Sequence, residues 1–295
     1  EIMPSLVGSE MCIRDSPDYV RTRITTVPPD SGLQVRSNYL PETRHLELTG
    51  QIELYDTDTL TFALRDPVRQ ATAALDIALE QAGIELQGGA QVAWSEGYRV
   101  GRGCLSGSVR ECPNAGPILT LESPPLSELI AGILKPSQNW MTEQLIRTLG
   151  AELGEEGSWS EGIVVISEFL TEMVGIDSLD ISPRDGSGLS AYNLVTPRAL
   201  VRILQYLSSS QNNGTYRSAL ATAGEEDSTL QERLSDLEGR VFAKTGTISN
   251  VNSLSGYLTR DDGCEVIFSI LSNGSGLPSG QVRDAIDDIV RILAR

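Results

Sequence analysis

The stretch Lys244-Thr245-Gly246-Thr247 combines residue types that suit the recognition of a small substrate carrying a carboxylate. The lysine supplies a fixed positive charge, and the hydroxyl of Thr245 can hydrogen-bond a carboxylate oxygen. Gly246 has no Cβ, so an extended substrate backbone can lie close against it. The apolar residues just before the lysine predict a strand that carries these side chains. A triplet this short also occurs by chance in an ordinary glycine turn.

Ser137 and Asn139 form a second candidate pair. A serine hydroxyl can relay a proton, and an asparagine amide can hold a substrate peptide group. Pro136 disfavours helix at Lys135, so we expect a break between two helices that directs both side chains into a cleft. The alternative is a plain helix N-cap, a position that Ser and Asn often fill. The order Ser-x-Asn, then a helix, then Lys-Thr-Gly favours the functional interpretation.

The other candidates have lesser roles. Asp185-Gly-Ser-Gly-Leu-Ser190 predicts a tight loop in which Asp185 and Ser187 shape the site. Its spacing differs from the G-x-S-x-G nucleophile elbow of α/β-hydrolases. His45 is the only histidine and stands beside Arg44, which indicates a surface role, and one histidine cannot form a His-rich metal site. We expect no metal and no cofactor.

Four cysteines are too few for a disulfide scaffold. Cys104 and Cys112 lie in a Gly/Ser-rich loop and would close a small ring in an oxidising compartment or stay reduced elsewhere. Cys264 falls in a predicted strand, where we expect a buried apolar residue.

Hydrophobic periodicity and capping residues predict an α+β arrangement of elements around these candidates. In the first part we expect a strand near 20–27, an alternating strand or strand pair at 45–54 with a turn or bulge at Gly50, and a strand at 60–64. Leu46, Leu48, Ile52 and Leu54 would face one side of the alternating segment. A helix follows from Asp66-Pro67 to Gly83, then short strands at 84–86 and 92–94.

The second part contains most of the predicted helices. We expect helices at 123–135, from Trp140, at 158–175 and from Thr196-Pro197 to Leu207, and in the third of these the inward residues are Ile163, Ile166, Phe169, Leu170 and Met173. A polar surface loop follows at 208–228, and then strands at 241–244, 253–259 and 264–272, the last two joined by a hairpin turn at Asp261-Asp262-Gly263. A terminal helix is expected at 282–295, with Val282, Ile286, Ile289 and Leu293 as its apolar positions.

Composition limits the partners. The 295 residues hold one large domain or two ordinary ones, and the 40% of apolar residues can form a core. A formal net charge of −17 without a basic block argues against nucleic acid and anionic membrane surfaces. The longest apolar run is too short to cross a membrane, and residues 1–16 lack the pattern of a signal peptide. The run 5–16 resembles a translated sequencing adapter, so we interpret 1–16 as a non-native leader.

With these motifs in this order, the chain resembles the class C penicillin-binding proteins, the serine-type D-alanyl-D-alanine carboxypeptidases/endopeptidases of peptidoglycan metabolism. The order and number of the matching stretches make the resemblance specific, although no single triplet is. The matching stretches are residues 66–84, Ser123-Pro-Pro-Leu, Leu134-Lys-Pro-Ser-x-Asn139, Glu143-x-Leu-x-Arg-Thr-Leu-Gly150, Asp185-Gly-Ser-Gly-Leu-Ser190, Tyr192-Asn-Leu-Val-Thr-Pro-Arg-Ala-Leu200 and Gly239-Arg-Val-x-Ala-Lys-Thr-Gly-Thr247.

The resemblance implies a β-lactamase/DD-peptidase-like domain, an antiparallel sheet flanked by helices, preceded by part of an inserted α+β domain. It implies acyl-enzyme chemistry at the bond between two terminal D-alanines. Ser137 would relay the proton to the leaving amine, Asn139 would bind the substrate amide, and Lys244 would act electrostatically. Thr245 and Thr247 would bind the terminal carboxylate, with backbone near Thr247 in the oxyanion hole. The implied partners are peptidoglycan stem peptides ending in D-Ala-D-Ala and β-lactam antibiotics, in a periplasmic or other extracytoplasmic location.

The chain departs from the family at the nucleophile. The family's Ser-x-x-Lys motif needs a serine three residues before a lysine, but Gly132 and Val241 stand there before the only two lysines, Lys135 and Lys244. We therefore interpret the chain as N-terminally truncated and inactive alone, with 17–115 a remnant of an inserted accessory domain and 116–295 the C-terminal part of the penicillin-binding domain. The alternatives are a non-catalytic homologue that binds peptidoglycan peptides or has a structural role, and a β-lactamase, which residues 66–84 disfavour.

Overall fold

The computed structural model describes residues 20–40, 45–57, 67–84, 122–155 and 157–295. The chain forms two compact units, residues 1–94 and 95–295, and each has its own core. The predicted strand at 60–64, the N-cap Asp66, the strands at 84–86 (except Ile84) and 92–94, and Cys104 and Cys112 lie outside the described residues. The assignment of 17–115 to an accessory domain stays a prediction.

The first unit contains a three-stranded sheet. Strand β3 (Leu46–Glu53) lies in the centre, parallel to β1 (Val20–Val27) and antiparallel to β2 (Gln34–Tyr39). The predicted strand at 20–27 is confirmed by β1. The predicted alternation in the next segment is also confirmed, because Leu46 and Leu48 are buried. The prediction that Leu54 shares their face is wrong, because the strand ends at Glu53 and Leu54 is exposed.

Two features of this unit differ from the expected pattern. Strand β2 was not predicted, since its sequence is mostly polar and its pairing depends on β3. Gly50 lies within one continuous strand with a φ of +126°, and a Cβ there would lie 1.8 Å from the carbonyl oxygen of Gln34. The glycine therefore permits close pairing with β2 rather than a turn.

A helix, α1 (Pro67–Gln81), completes the described part of this unit. It ends as predicted: Gly83 has a left-handed φ of +79°, and the N–H of Ile84 donates to the carbonyl of Leu79 at 2.8 Å. Val68 and Leu75, two of its regularly spaced apolar residues, are exposed.

The second unit is organised around a four-stranded antiparallel sheet with the order β6 (Ala221–Thr222), β7 (Val241–Ile248), β8 (Val251–Thr259) and β9 (Glu265–Asn273). The predicted hairpin at Asp261-Asp262-Gly263 is confirmed, with Gly263 at a φ of +82°. The prediction that Cys264 is buried is wrong, because β9 begins one residue later and Cys264 is exposed at the end of the turn.

Helices cover both faces of this sheet. On one face, Leu254 and Leu258 share a core with residues of α7 (Ser279–Leu293). On the other face, Tyr257 packs with Leu204 of α5 (Pro197–Ser208) and with Leu220, which follows α6 (Asn213–Ala219). The Tyr257 hydroxyl also donates to the carbonyl of Leu204 at 2.8 Å. This α+β arrangement agrees with the predicted fold class.

The terminal helix is confirmed, but its apolar face differs in one position. Val282, Ile286 and Val290 are buried, whereas Ile289, predicted to face inward, is exposed. Two steps of four residues lead from Val282 through Ile286 to Val290 on the buried face, and Ile289 lies about 100° from Val290 around the helix axis.

The remaining helices precede the sheet in the sequence: α2 (Leu126–Leu134), α3 (Asn139–Leu153) and α4 (Trp159–Glu168). A π-helical turn (Phe169–Met173) extends α4, with the N–H of Val174 donating to the carbonyl of Phe169. Leu170 is buried as predicted, but Phe169 and Met173 are exposed. The wider turn shifts the positions of later residues around the axis, which a regular helical period does not anticipate.

The predicted polar loop at 208–228 is also wrong. It contains α6 and β6, and Leu220, Ala221 and Ala223 are fully buried. Thr196 caps α5 as predicted, accepting the N–H of Ala199 at 3.1 Å. Before it, β4 (Ile181–Ser182) pairs with β5 (Leu194–Val195) and brings together the ends of the loop that contains Asp185.

Candidate active site

Strand β7 has an open edge from Lys244 onward. Strand β6 pairs with β7 only at Phe242 and Ala243, whereas β8 pairs with β7 along its whole length. Residues 244–248 therefore have no partner strand on the β6 side among the described residues. An edge of this kind presents backbone N–H and C=O groups that an extended peptide can pair with.

The side chain of Lys244 meets Ser137 beside this edge. Its Nζ donates to Ser137 Oγ at 2.8 Å, although the two residues are 107 positions apart, and to the carbonyl of Thr245 at 2.8 Å. Burial lowers the pKa of Lys244 from 10.5 to about 8. No carboxylate pairs with this ammonium among the described residues. Near neutral pH, Lys244 can therefore hold a substrate carboxylate or exchange a proton with Ser137.

Ser137 lies in the short break between α2 and α3 and has a left-handed φ of +63°. The residue that caps α3 is Gln138, without a side-chain capping hydrogen bond. The N-cap alternative for Ser137 and Asn139 is therefore not what the structure contains. The hydroxyl of Ser137 points instead to Lys244.

Contacts from the segment after β6 fix this break. Lys135 forms an ion pair with Glu225, whose other oxygen accepts the N–H of Thr222 at 3.1 Å. The carbonyl of Lys135 accepts the N–H of Thr229 at 3.0 Å. These bonds tie the end of α2 to the segment that begins with β6, and the sequence predicted none of them.

Asn139 is the first residue of α3 and is exposed. Its carbonyl accepts the Thr142 hydroxyl at 2.7 Å, and among the described residues its side-chain amide has no hydrogen-bond partner. The amide is therefore available to a ligand. The bond between Lys244 and Ser137 therefore joins one residue of the predicted Lys-Thr-Gly motif to one residue of the Ser-x-Asn motif. Asn139 lies two residues further along the chain and is not among the residues that line the adjacent cleft.

A cleft of about 770 Å³ lies beside Ser137 and the Lys-Thr-Gly strand. Ser137, Thr245, Gly246 and Thr247 line one side. The other side comprises residues of the 228–234 segment and charged residues of α7, where Arg233 and Asp287 form a buried ion pair with bonds of 2.6 and 3.1 Å. The cleft has room for a short peptide.

The predicted loop residues Asp185 and Ser187 have partners of their own and do not line this cleft. The carboxylate of Asp185 accepts the N–H groups of Gly188 at 2.7 Å and Ser190 at 2.6 Å and the side-chain amide of Asn193 at 2.8 Å. This bonding fixes the conformation of the loop, and the predicted role of Asp185 and Ser187 in substrate binding stays a prediction. The carboxylate of Glu143, on α3, accepts hydrogen bonds from two backbone N–H groups of this loop. The sequence predicted no function for Glu143. Its position one turn after Asn139, on the same face of the helix, is the signal that could have identified it.

The described residues contain no group of His, Cys, Asp and Glu side chains that could hold a metal ion. No helix in the same part of the chain is both long enough and apolar enough to cross a membrane.

Comparison with known proteins identifies the family. The model of the D-Ala-D-Ala carboxypeptidase 3 (S13) family matches residues 18–295. The chain belongs to the S13 family. Similar sequences include a D-alanyl-D-alanine carboxypeptidase of Actinomadura sp. strain R39, 39% identical over 55% of this chain and 31% of that protein. Another is D-alanyl-D-alanine carboxypeptidase DacB of Haemophilus influenzae, 27% identical over 73% of this chain and 42% of that protein.

The fold of this S13 chain is also that of a solved relative. Penicillin-binding protein 4 (dacB) from Haemophilus influenzae, in a crystal structure with a β-lactam, superposes with a TM-score of 0.74 at 21% identity. The superposition covers 97% of this chain and 65% of that protein. The predicted DD-peptidase-like fold is confirmed. The chain matches only 31% and 42% of the length of these two sequence relatives.

Proposed function

We propose that this chain forms the substrate-binding part of a serine-type D-alanyl-D-alanine carboxypeptidase/endopeptidase that acts on peptidoglycan peptides outside the cytoplasmic membrane. The observation that carries the proposal is the 2.8 Å hydrogen bond between Lys244 Nζ and Ser137 Oγ beside the open edge of β7. It unites two motifs that lie 107 residues apart and that serve the same reaction in this family.

The reaction begins with a serine that a Ser-x-x-Lys motif activates, which in this proposal lies in a segment other than the chain described. Its hydroxyl attacks the carbonyl between the two terminal D-alanines, and the C–N bond breaks to leave an ester. The proton of the serine reaches the departing amine through the hydroxyl of Ser137, with Lys244 beside it. Water then hydrolyses the ester and regenerates the serine.

The other residues hold the substrate in this scheme. The peptide lies along the free edge of β7 next to Gly246, which leaves space for its backbone. Lys244, Thr245 and Thr247 bind the terminal carboxylate, and backbone N–H groups near Thr247 stabilise the oxyanion. The amide of Asn139 binds a peptide group of the substrate, and its lack of another partner among the described residues supports that role. Penicillins share the carboxylate and the acyl carbonyl, so they would acylate the same serine.

The experiment uses a fluorescent penicillin and the complete natural gene product, with this 295-residue chain as the matched comparison. We expect covalent label on the complete protein and none on the chain, because the chain contains no Ser-x-x-Lys. Label on the chain itself would contradict the assignment of the nucleophile to another segment.

The absence of Ser-x-x-Lys also favours a second candidate, a non-catalytic homologue that binds peptidoglycan peptides. The same experiment separates the two. A complete gene product that binds a D-Ala-D-Ala peptide but never becomes labelled and never releases D-alanine supports the binding protein and excludes the peptidase.

A further inference from the structure

Glu143 joins the loop at 185–190 to α3. One oxygen of its carboxylate accepts the N–H of Gly186 at 3.2 Å, and the other accepts the N–H of Ser187 at 2.9 Å. These are consecutive N–H groups of a loop more than forty residues away in the sequence. A carboxylate suits this position because both of its oxygens accept hydrogen bonds, whereas an amide would present a donor to one of the two N–H groups.

The loop itself is internally fixed. Asp185 accepts the N–H groups of Gly188 and Ser190, and the side chain of Asn193 donates to Asp185 and accepts the N–H of Arg184. Among the described residues, the hydrogen bonds from this loop to α3 all end on Glu143. The loop is therefore a preformed unit with a single polar attachment to the helix.

The loop also lies directly on the backbone of α3. A Cβ on Gly186 would be 2.5 Å from the carbonyl oxygen of Thr142 and 2.6 Å from a side-chain carbon of Ile146, so only glycine permits the contact. Thr142 is in turn bonded to Asn139 through its hydroxyl, at 2.7 Å. Glu143 and Asn139 are four residues apart and face the same side of the helix.

We propose that Glu143 is a positioning residue that clamps the 185–190 loop onto the first turns of α3 and so holds the backbone of Asn139 where its amide reaches the substrate. This inference rests on the proposed function, in which Asn139 binds a substrate amide. Glu143 itself does not touch the substrate.

The test compares Glu143→Gln with the control Glu152→Gln in the complete gene product. Glu152 is an exposed residue of the same helix with no hydrogen bond or ion pair among the described residues. Acylation rates are measured with benzylpenicillin, which carries an acylamino side chain, and with 6-aminopenicillanic acid, which lacks that amide. We expect Glu143→Gln to slow acylation by benzylpenicillin about tenfold, as the loss of one oriented hydrogen bond would. Acylation by 6-aminopenicillanic acid should be unchanged, and Glu152→Gln should change neither rate.

A second variant tests whether Glu143 acts through Asn139. Adding Glu143→Gln to Asn139→Ala should cause no further loss with benzylpenicillin, because the amide that Glu143 positions is already gone. Equal slowing with both penicillins, or a full additional loss in the double variant, would show a general structural role and overturn the inference.

Hydrogen exchange keeps the clamp testable apart from the reaction. Backbone amides of residues 185–188 should exchange faster in Glu143→Gln than in the unsubstituted protein, with no change in Glu152→Gln. Unchanged exchange refutes the clamp even if the protein is a peptidase. A complete, unsubstituted protein that benzylpenicillin fails to acylate refutes the proposed function, and with it the role of Glu143 in that reaction, whatever the exchange result.

Discussion

At the scale of single residues, the unusual group is the mostly buried ammonium of Lys244, which has oxygen acceptors but no carboxylate partner in the part of the chain that the structure describes. Lys244 bonds Ser137 Oγ and the Thr245 carbonyl, both uncharged. A neutral environment leaves the positive charge uncompensated, which favours a negatively charged ligand and makes loss of the proton easier. The same feature therefore suits both roles proposed for Lys244, carboxylate binding and proton exchange.

The first prediction concerns the titration of Lys244. Its pKa of about 8 in the folded protein lies below the ordinary 10.5, so between these values the unfolded chain binds a proton that the folded chain does not. Folding stability therefore rises with pH across this window, and the cost of burying the ammonium is present in full below about pH 8. Affinity for a D-Ala-D-Ala carboxylate should change in the opposite sense and fall as pH rises through about 8.

Lysine labelled with ¹³C at Cε gives a clean measurement, because the chain has only Lys135 and Lys244. The variant Lys244→Arg removes one of the two signals and so assigns it, and it should also keep carboxylate affinity above pH 8, since arginine stays protonated. A midpoint for Lys244 near 10.5 would contradict the prediction.

The second prediction concerns Ser137. In the complete gene product, Ser137→Ala should slow penicillin acylation by roughly 10²–10⁴-fold, the usual contribution of a positioned proton-transfer group. Ser209→Ala is a suitable control, since Ser209 is exposed at the C-terminal end of α5 and, among the described residues, its hydroxyl bonds only the carbonyl of Gln205. Acylation at the unsubstituted rate in Ser137→Ala would exclude the relay.

At the scale of secondary-structure elements, the position of Lys244 depends on how closely β7 and β8 approach. Gly256 of β8 pairs with Ala243, the residue before the lysine. A Cβ at Gly256 would lie 2.1 Å from the carbonyl oxygen of Phe242 and 2.6 Å from the Cα of Ala243. These neighbours are backbone atoms of a paired strand, so they cannot move without displacing β7.

The third prediction follows from this contact. Gly256→Ala should destabilise the protein by about 1–3 kcal/mol, as overpacking does, and should also weaken substrate binding because β7 carries Lys244. Urea denaturation and peptide affinity provide the two measurements. Gly132→Ala is the control: Gly132 lies in α2 with nothing within 4 Å of its ideal Cβ, and alanine favours helix. Equal free energies of unfolding for Gly256→Ala and the unsubstituted protein would contradict this prediction, because they would mean that β7 and β8 can move apart without an energetic cost.

The elements that sequence could predict are those whose signals are local. Thr196-Pro197 predicts the start of α5 and Asp261-Asp262-Gly263 predicts a hairpin turn, because capping and turn geometry depend on adjacent residues. Strand β2 and the π-helical turn after α4 were missed, since the first needs its partner β3 and the second needs tertiary packing. The clamp at Glu143 was missed for the same reason, as its partners lie in a distant loop.

At the scale of the whole molecule, the site consists of segments that sequence analysis can name but cannot place. The motifs predicted which residue types would meet, and the 2.8 Å contact between Ser137 and Lys244 agrees with that prediction. The ion pairs that hold the surrounding segments join residues 90 positions apart at Lys135–Glu225 and 54 apart at Arg233–Asp287. No local pattern marks such partners, because arginine, lysine and acids are also the ordinary residues of a solvated surface.

The last prediction tests whether the Arg233–Asp287 pair holds the cleft together. Asp287 lies on α7 and Arg233 precedes β7, so their two hydrogen bonds join the terminal helix to the segment that borders the cleft. Both side chains are mostly buried, with 14% and 8% exposure, and Asp287→Asn would leave an unpaired buried guanidinium. Such a loss costs about 3–5 kcal/mol, which urea denaturation would detect easily. Asp288→Asn is the matched control, because its exposed pair with Arg291 is screened by water and contributes little. Equal unfolding midpoints for the two variants would mean that the pair contributes nothing to the cleft.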